Sequence, residues 1–188
     1  MSRERTLAER VAGLGGVTVD DTFLRHAAPG RDAFAGGYGG RWGDVLPVIY
    51  LGRPEDSCIE EAYRHLVDDT GVPAEYVKAR TLYTVRVEAA SILDLRPADS
   101  LAEVGLSEKD LYSAVGDYES CQRVAAVAHQ LEYHGIIAPS ATYLGETLAL
   151  FRQRVGVAEL PVVLTEDAWV KLPPRPGSGE VRLSLVRE

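Results

Sequence analysis

The chain has 188 residues, 46% of them hydrophobic and 26% charged, which suits one folded domain with a full core and argues against disorder. Lys and Arg total 20 against 28 Asp and Glu, a formal charge of −8 that repels polyanions, so direct nucleic-acid binding is not expected. No stretch approaches the ~20 apolar residues of a membrane span, and the N-terminus lacks an apolar signal core, so no membrane association and a cytoplasmic location are expected.

Leu7, Val11 and Leu14 recur at helical spacing and predict a short amphipathic helix over residues 2–13 that ends at Gly15-Gly16. Thr22 to His26 reads as a short strand. Gly36 to Gly43, "GGYGGRWG", then sets five glycines among eight residues, which implies backbone that turns sharply or lies close to something else, a ligand included. Val45 to Leu51 reads as a buried strand with Pro47 marking an edge or irregular start. Pro54 opens a helix over 55–69, in which Cys58, Ala62 and Leu66 form the apolar stripe and Gly71 lies past the end. Thr81 to Glu88 alternates as a half-buried strand.

Ser107 and Asp110 form a capping-box pattern for a short helix through Val115, and Ser120 is the expected cap of a longer helix with the stripe Cys121, Val124, Ala125, Ala128 and Leu131. Gly135 is its expected stop. Ile136 to Ser140, Thr147 to Phe151 and Pro161 to Leu164 are apolar segments of strand type, and Pro173 to Gly179 reads as a mobile tail. The irregular mixture predicts a single α+β domain over 1–188, with its core at about 20–165 and a loop or tail at 173–188.

Several residues carry possible chemistry. Arg25 follows two apolar residues, where a permanent charge needs either an anionic partner or an edge position. Arg41 can meet a phosphate with two parallel hydrogen bonds or stack on Trp42. On the 55–69 helix Glu61 falls between Cys58 and Leu66 while Glu60 turns toward solvent. Ser140 sits at a chain break where a hydroxyl can face a pocket, although G-x-S-x-G is absent. His129 and His134 are five apart and fall on different faces; Cys58 and Cys121 lack a CxxC partner and read as reduced core thiols. No metal and no prosthetic group are expected. The glycine loop does not fit G-x-G-x-x-G, because Trp42 occupies the last glycine position and a strand follows.

In order, Leu24-Arg25, Gly39-Gly40-Arg41-Trp42, Ile49-Tyr50-Leu51, Glu61 with His65 four later, and Pro139-Ser140-Ala141 resemble the RES-domain family, named for an arginine, a glutamate and a serine. The resemblance runs from about Phe23 to about Phe151, and the series "ILDL…VGL…DLY…SCQ…HGIIAPSA" is similar to the toxin branch of that family. Two positions depart: Gly43 stands where asparagine is usual, and His26 where tyrosine is common.

The resemblance implies a toxin of a toxin–antitoxin module with an ADP-ribosyltransferase-like fold, an Xre-type helix-turn-helix antitoxin as partner in a hetero-oligomer, and NAD as substrate. It implies catalytic roles for Glu61, Arg25 and Tyr50. Ligand-binding roles fall to Arg25, His26, Arg41, Tyr50 and Ser140, with the two arginines on the pyrophosphate, Tyr50 against nicotinamide and Ser140 orienting the ligand. Inorganic phosphate is the expected co-substrate of an NAD phosphorylase; a glycohydrolase, a protein ADP-ribosyltransferase and an inactive binding module are the alternatives.

Overall fold

The computed structural model describes residues 3–114 and 116–178. Helix α1 (Leu7–Leu14) is capped by Thr6, whose hydroxyl accepts from the Glu9 amide while the Glu9 carboxylate accepts from the Thr6 amide. Gly15, at φ +70°, breaks it, and strand β1 (Gly16–Ala27) begins at once. The remaining elements are β2 (Val48–Arg53), α2 (Glu55–Tyr63), β3 (Arg80–Asp94), α3 (Ala98–Glu103), α4 (Glu108–Leu111), α5 (Glu119–Gln130), β4 (Gly135–Pro139), β5 (Glu146–Phe151) and β6 (Val162–Trp169).

The six strands run β1-β2-β5-β4-β3-β6, and β1 also pairs with β3 from Gly16↔Leu93 to Ala27↔Thr81. β1 meets β2 at Leu24↔Gly52, so five strands form a closed ring from which β6 continues beside the first half of β3. Among the described residues only β3 and β4 pair in parallel. The ring interior holds Phe23, Ile49, Leu51, Val85, Val87, Ile137, Leu148 and Leu150. Their neighbours Val48, Ile136, Ala138, Ala149 and Phe151 point outward onto Val11, Leu111, Val124 and Ala128 of the helices. Strands β2, β4 and β5 are thus buried on both faces, which accounts for their near-continuous apolar runs. Each large side chain buried this way contributes roughly 1.5–3 kcal/mol.

Several expected boundaries move, each for a tertiary reason. The first helix starts at Leu7, where Thr6 supplies the cap. β1 and β3 extend far beyond Thr22 to His26 and Thr81 to Glu88 because they pair with each other along most of their length, even through exposed polar positions. β2 starts at Val48 rather than Val45, as the glycine loop takes up Leu46 and Pro47. The Ser107–Asp110 box caps α4, which ends at Leu111; Val115 lies outside the described residues. Tyr118, not Ser120, precedes α5.

Gly135 is not a helix stop. α5 ends at Gln130, with Leu131 as its cap and Glu132 (φ +64°) turning the chain, and Gly135 opens β4, where a Cβ would lie 2.4 Å from the Ala149 carbonyl oxygen. β6 runs on to Trp169, past the expected end at Leu164. α3 had no sequence expectation. The segment 173–178 is loop but is pinned: Tyr63 donates to the Pro173 carbonyl at 3.0 Å, and Arg175 pairs with Glu60 and, at 2.8 Å, with Asp68. Glu60 therefore faces this strap instead of open solvent. Gly179 and the rest of the expected tail lie outside the described residues.

Candidate active site

One cavity of about 520 Å³ opens beside the ring, bounded by β1, the glycine loop, β2, α2 and the start of β3. Arg25 and His26 come from β1, Tyr50 from β2, Ser57, Cys58 and Glu61 from α2, and Arg64 and His65 from the π-helical turn at Arg64–Asp68 that continues α2. Arg80, Tyr118, Pro139 and Ala141 complete the wall. Four arginines line this cavity in an acidic protein, and Glu61 is its one carboxylate among the described residues.

The arginines differ in what they hold. Arg25 donates from Nη1 to the Tyr50 carbonyl at 2.7 Å, while its buried Nε has no partner. Burial pushes this guanidinium below its ordinary pKa, as expected for a cation short of counter-charge. Arg41 is 9% exposed, and its Nη1 donates to the Asp110 carbonyl (2.6 Å) and Ser113 Oγ (2.8 Å), with Nη2 on the Ser113 carbonyl at 3.1 Å. Its guanidinium lies over Tyr118, 4.4 Å from the ring centre, rather than on Trp42. Arg64 approaches Glu61 at 3.6 Å, and Arg80 donates to His26 Nδ1 at 3.2 Å.

Glu61 faces the cavity, as its place on the apolar stripe predicts, and accepts from His65 Nε2 at 3.2 Å; the other ring nitrogen of His65 meets Asp69 at 3.2 Å. The hydrogen bond to Glu61, reinforced by both carboxylate charges, raises the His65 pKa. His26 behaves oppositely. Burial, with Arg80 and Arg25 nearby, pushes it down to about 3, so it is a neutral imidazole stacked on Trp169.

Tyr50 and the glycine loop form one unit. The Tyr50 hydroxyl accepts from the Trp42 amide at 2.9 Å, and burial raises its pKa. A Cβ on Gly40 would lie 2.4 Å from that oxygen, and one on Gly43 2.4 Å from Val48 Cγ2. The close approach signalled by "GGYGGRWG" is therefore made to β2 of the chain itself at these two glycines, while Gly37 and Gly39 are open to the cavity.

Ser140 is fully buried and does not line the cavity. Its hydroxyl accepts from Ser57 Oγ at 2.9 Å and meets Thr142 Oγ1 at 2.8 Å, so it sits one layer beneath Ser57, which does reach the cavity. Sequence reasoning missed Ser57, Arg64 and Arg80. Arg64 was within reach, since Glu61, Arg64 and His65 stand at i, i+3 and i+4; Arg80 reads only as a solvated strand end.

Elsewhere, both cysteines are free and buried, with burial pushing Cys58 up to about 12 and Cys121 to about 11. His134 pairs with Glu159 at 2.8 Å and His129 packs edge-on to Phe151. Among the described residues no group of three or more His, Cys, Asp or Glu is placed to hold a metal, and no helix is long and apolar enough to cross a membrane. A second cavity of about 570 Å³ lies around the α4–α5 connection, but Asp110, Asp117 and Glu119 on its wall outnumber Lys109, which suits an anionic ligand poorly.

Residues 17–172 match the family model described as RES domain. The chain belongs to the RES-domain family. As a RES-domain protein it is 29% identical over 168 residues to proteins named NAD(+) phosphorylase MbcT from Mycobacterium tuberculosis and Mycobacterium bovis, covering 86% of this chain and 89% of theirs. Its fold is similar to that in the crystal structure of the M. tuberculosis MbcT–MbcA toxin–antitoxin complex, with a TM-score of 0.75 at 27% identity, over 86% of this chain and 91% of that one.

Proposed function

We propose that this RES-domain protein is the toxin of a toxin–antitoxin module and an NAD phosphorylase. The observation that carries the reading is the convergence on one cavity of Arg25, Arg41 and Glu61, far apart in sequence, in a protein whose RES-domain relatives are named for this activity. An acidic chain that gathers four arginines around one carboxylate has built a site for an anionic ligand on which positive charge develops.

The chemistry follows from the charges. Nicotinamide in NAD is cationic and leaves as a neutral base, taking the bonding electron pair; the barrier is the positive charge left on the ribose. Glu61, held by His65 and Arg64, stabilises that charge. The desolvated Arg25, with its spare donor, binds the pyrophosphate. Arg41 adds positive potential to the cavity while its terminal nitrogens hold the α4–α5 connection. Tyr50 braces the glycine loop and gives its ring to the wall beside nicotinamide. Ser140 acts through Ser57, fixing the hydroxyl that reaches the ligand. Inorganic phosphate then bonds to C1 of the ribose and gives up its proton to solvent, yielding ADP-ribose 1-phosphate.

The closed ring with a cavity on its flank supports an ADP-ribosyltransferase-like fold, and a small Xre-type helix-turn-helix antitoxin neutralises the toxin in the cytoplasm by covering this cavity. The test incubates purified protein with NAD and phosphate and resolves products by phosphorus NMR. NAD loss with ADP-ribose 1-phosphate is expected. Stable NAD refutes the reading, ADP-ribose alone marks a glycohydrolase, and label transferred to protein marks a transferase.

A further inference from the structure

Arg80 opens β3 one position beyond the Ala27↔Thr81 pair and stands opposite Trp169 of β6. The strand pairing thereby brings it against His26, whose ring lies flat on Trp169 with centroids 5.8 Å apart. Arg80 Nε donates to His26 Nδ1 at 3.2 Å. That bond fixes the proton of the neutral imidazole on Nε2, so His26 remains a donor there. Arg80 forms no ion pair among the described residues, and its terminal nitrogens have no hydrogen-bond partner among them. Arg31 adds positive charge near Arg80 and Arg25 near His26, while Asp32 lies within electrostatic range of Arg25.

Arg80 thus brings unpaired terminal nitrogens to the cavity wall with Arg31 as a second cation in range, an arrangement that an anion would relieve. Position distinguishes this anion from the pyrophosphate. His65, bonded to Glu61, lies within electrostatic range of His26, whereas Arg41 is held over Tyr118 by its bonds to Asp110 and Ser113. Arg80 with His26 and Arg41 with Tyr118 are thus separate groups on the wall that also carries Glu61.

We propose that Arg80, braced by His26, binds the phosphate acceptor and holds it for attack on C1 of the ribose, separately from the pyrophosphate contacts of Arg25 and Arg41. The assignment rests on the NAD phosphorylase reading. The guanidinium fork of Arg80 takes two phosphate oxygens, His26 Nε2–H a third, and the remaining oxygen forms the new bond as nicotinamide departs with the electrons of the old one.

Calorimetric titration of the intact protein with inorganic phosphate, together with KM for phosphate and for NAD, tests this in Arg80→Gln, Arg80→Lys and the surface control Arg86→Gln. In R80Q phosphate affinity falls and KM for phosphate rises by about tenfold or more. KM for NAD stays within about twofold, and product shifts from ADP-ribose 1-phosphate toward ADP-ribose. R80K recovers part of the phosphate affinity, and R86Q matches the parent. If R80Q does not fold, His26→Gln carries the same expectation for phosphate. Unchanged phosphate affinity in a folded R80Q overturns the assignment, and so does a raised KM for NAD with phosphate unaffected, which would place Arg80 on the pyrophosphate. A parent protein that leaves NAD intact refutes the phosphorylase reading, while the phosphate titration still decides whether Arg80 binds the anion.

Discussion

Replacing Glu61 with Gln removes one negative charge and little volume, and the effect on turnover follows from distance. A full unit charge developing about 4 Å from the carboxylate, at an effective dielectric constant of about 20, interacts with it by about 4 kcal/mol. Only part of the charge has formed at the transition state, and Arg64 and His65 already offset the carboxylate at 3.6 and 3.2 Å. A loss of about 3 kcal/mol is therefore expected, or about a hundredfold in kcat. Glu60→Gln is the matched control. Glu60 holds Arg175, which keeps Asp68 at 2.8 Å, so the cost is about 1 kcal/mol of stability or less and none of activity. Initial rates of nicotinamide release, with thermal melts confirming that both variants fold, decide the matter. A folded E61Q turning over within about threefold of the parent, or an equal loss in E60Q, would refute the role given to Glu61.

Gly40→Ala drives a Cβ to 2.4 Å from Tyr50 Oη and costs about 1–3 kcal/mol by thermal unfolding, whereas Gly37→Ala, which meets nothing within 4 Å, changes stability by about 0.5 kcal/mol or less. Ser140→Ala removes one partner from each of the buried hydroxyls of Ser57 and Thr142, which keep their mutual contact at 3.1 Å, so it lowers stability by about 0.5–1.5 kcal/mol and raises KM for NAD together; a raised KM with an unchanged melting temperature would place Ser140 in direct ligand contact instead. His65 has a folded pKa above its ordinary 6.5, so its pairing with Glu61 and Asp69 stabilises the protein fully below that value and the benefit is lost as pH rises through the folded pKa. The stability difference between the parent and His65→Asn should accordingly shrink from pH 6 toward pH 8, and in E61Q the His65 pKa read by NMR should fall.

What the sequence made legible was local. The stripe Cys58, Ala62 and Leu66 after Pro54 defined α2 and set Glu61 toward the cavity, because helical period and side-chain direction are fixed by the backbone. The apolar runs of β2, β4 and β5 were visible because both of their faces are buried. β1 and β3 were underestimated, since Asp20, Asp21, Arg86 and Glu88 look like strand ends until 11 registered pairs across more than 50 residues hold them in line. The same long-range pairing brings Arg80 to His26, which no local pattern announces. Ser140 was recognised but misplaced in depth: Pro139 and Ala141 on either side line the cavity while the serine between them is buried beneath Ser57.

Net charge was informative in one direction only. Carboxylates neutralise arginines elsewhere in the fold: Asp21 and Glu146 hold Arg53, Asp94 and Glu146 hold Arg96, and Glu60 and Asp68 hold Arg175. Among the described residues, Arg25, Arg41 and Arg80 belong to no such pair, and all three open onto the cavity that contains Glu61. An outer surface of this kind repels a polyanion such as nucleic acid, whereas a small dinucleotide entering the cavity meets uncompensated cations at short range, where a low-dielectric wall strengthens their attraction. The −8 that argued against one class of anionic partner is thus compatible with tight binding of another. What separates the two is where the carboxylates lie: pairing arginines outside the cavity, with one, Glu61, inside it, where the proposed phosphorylase chemistry has it meet the charge that forms on the sugar.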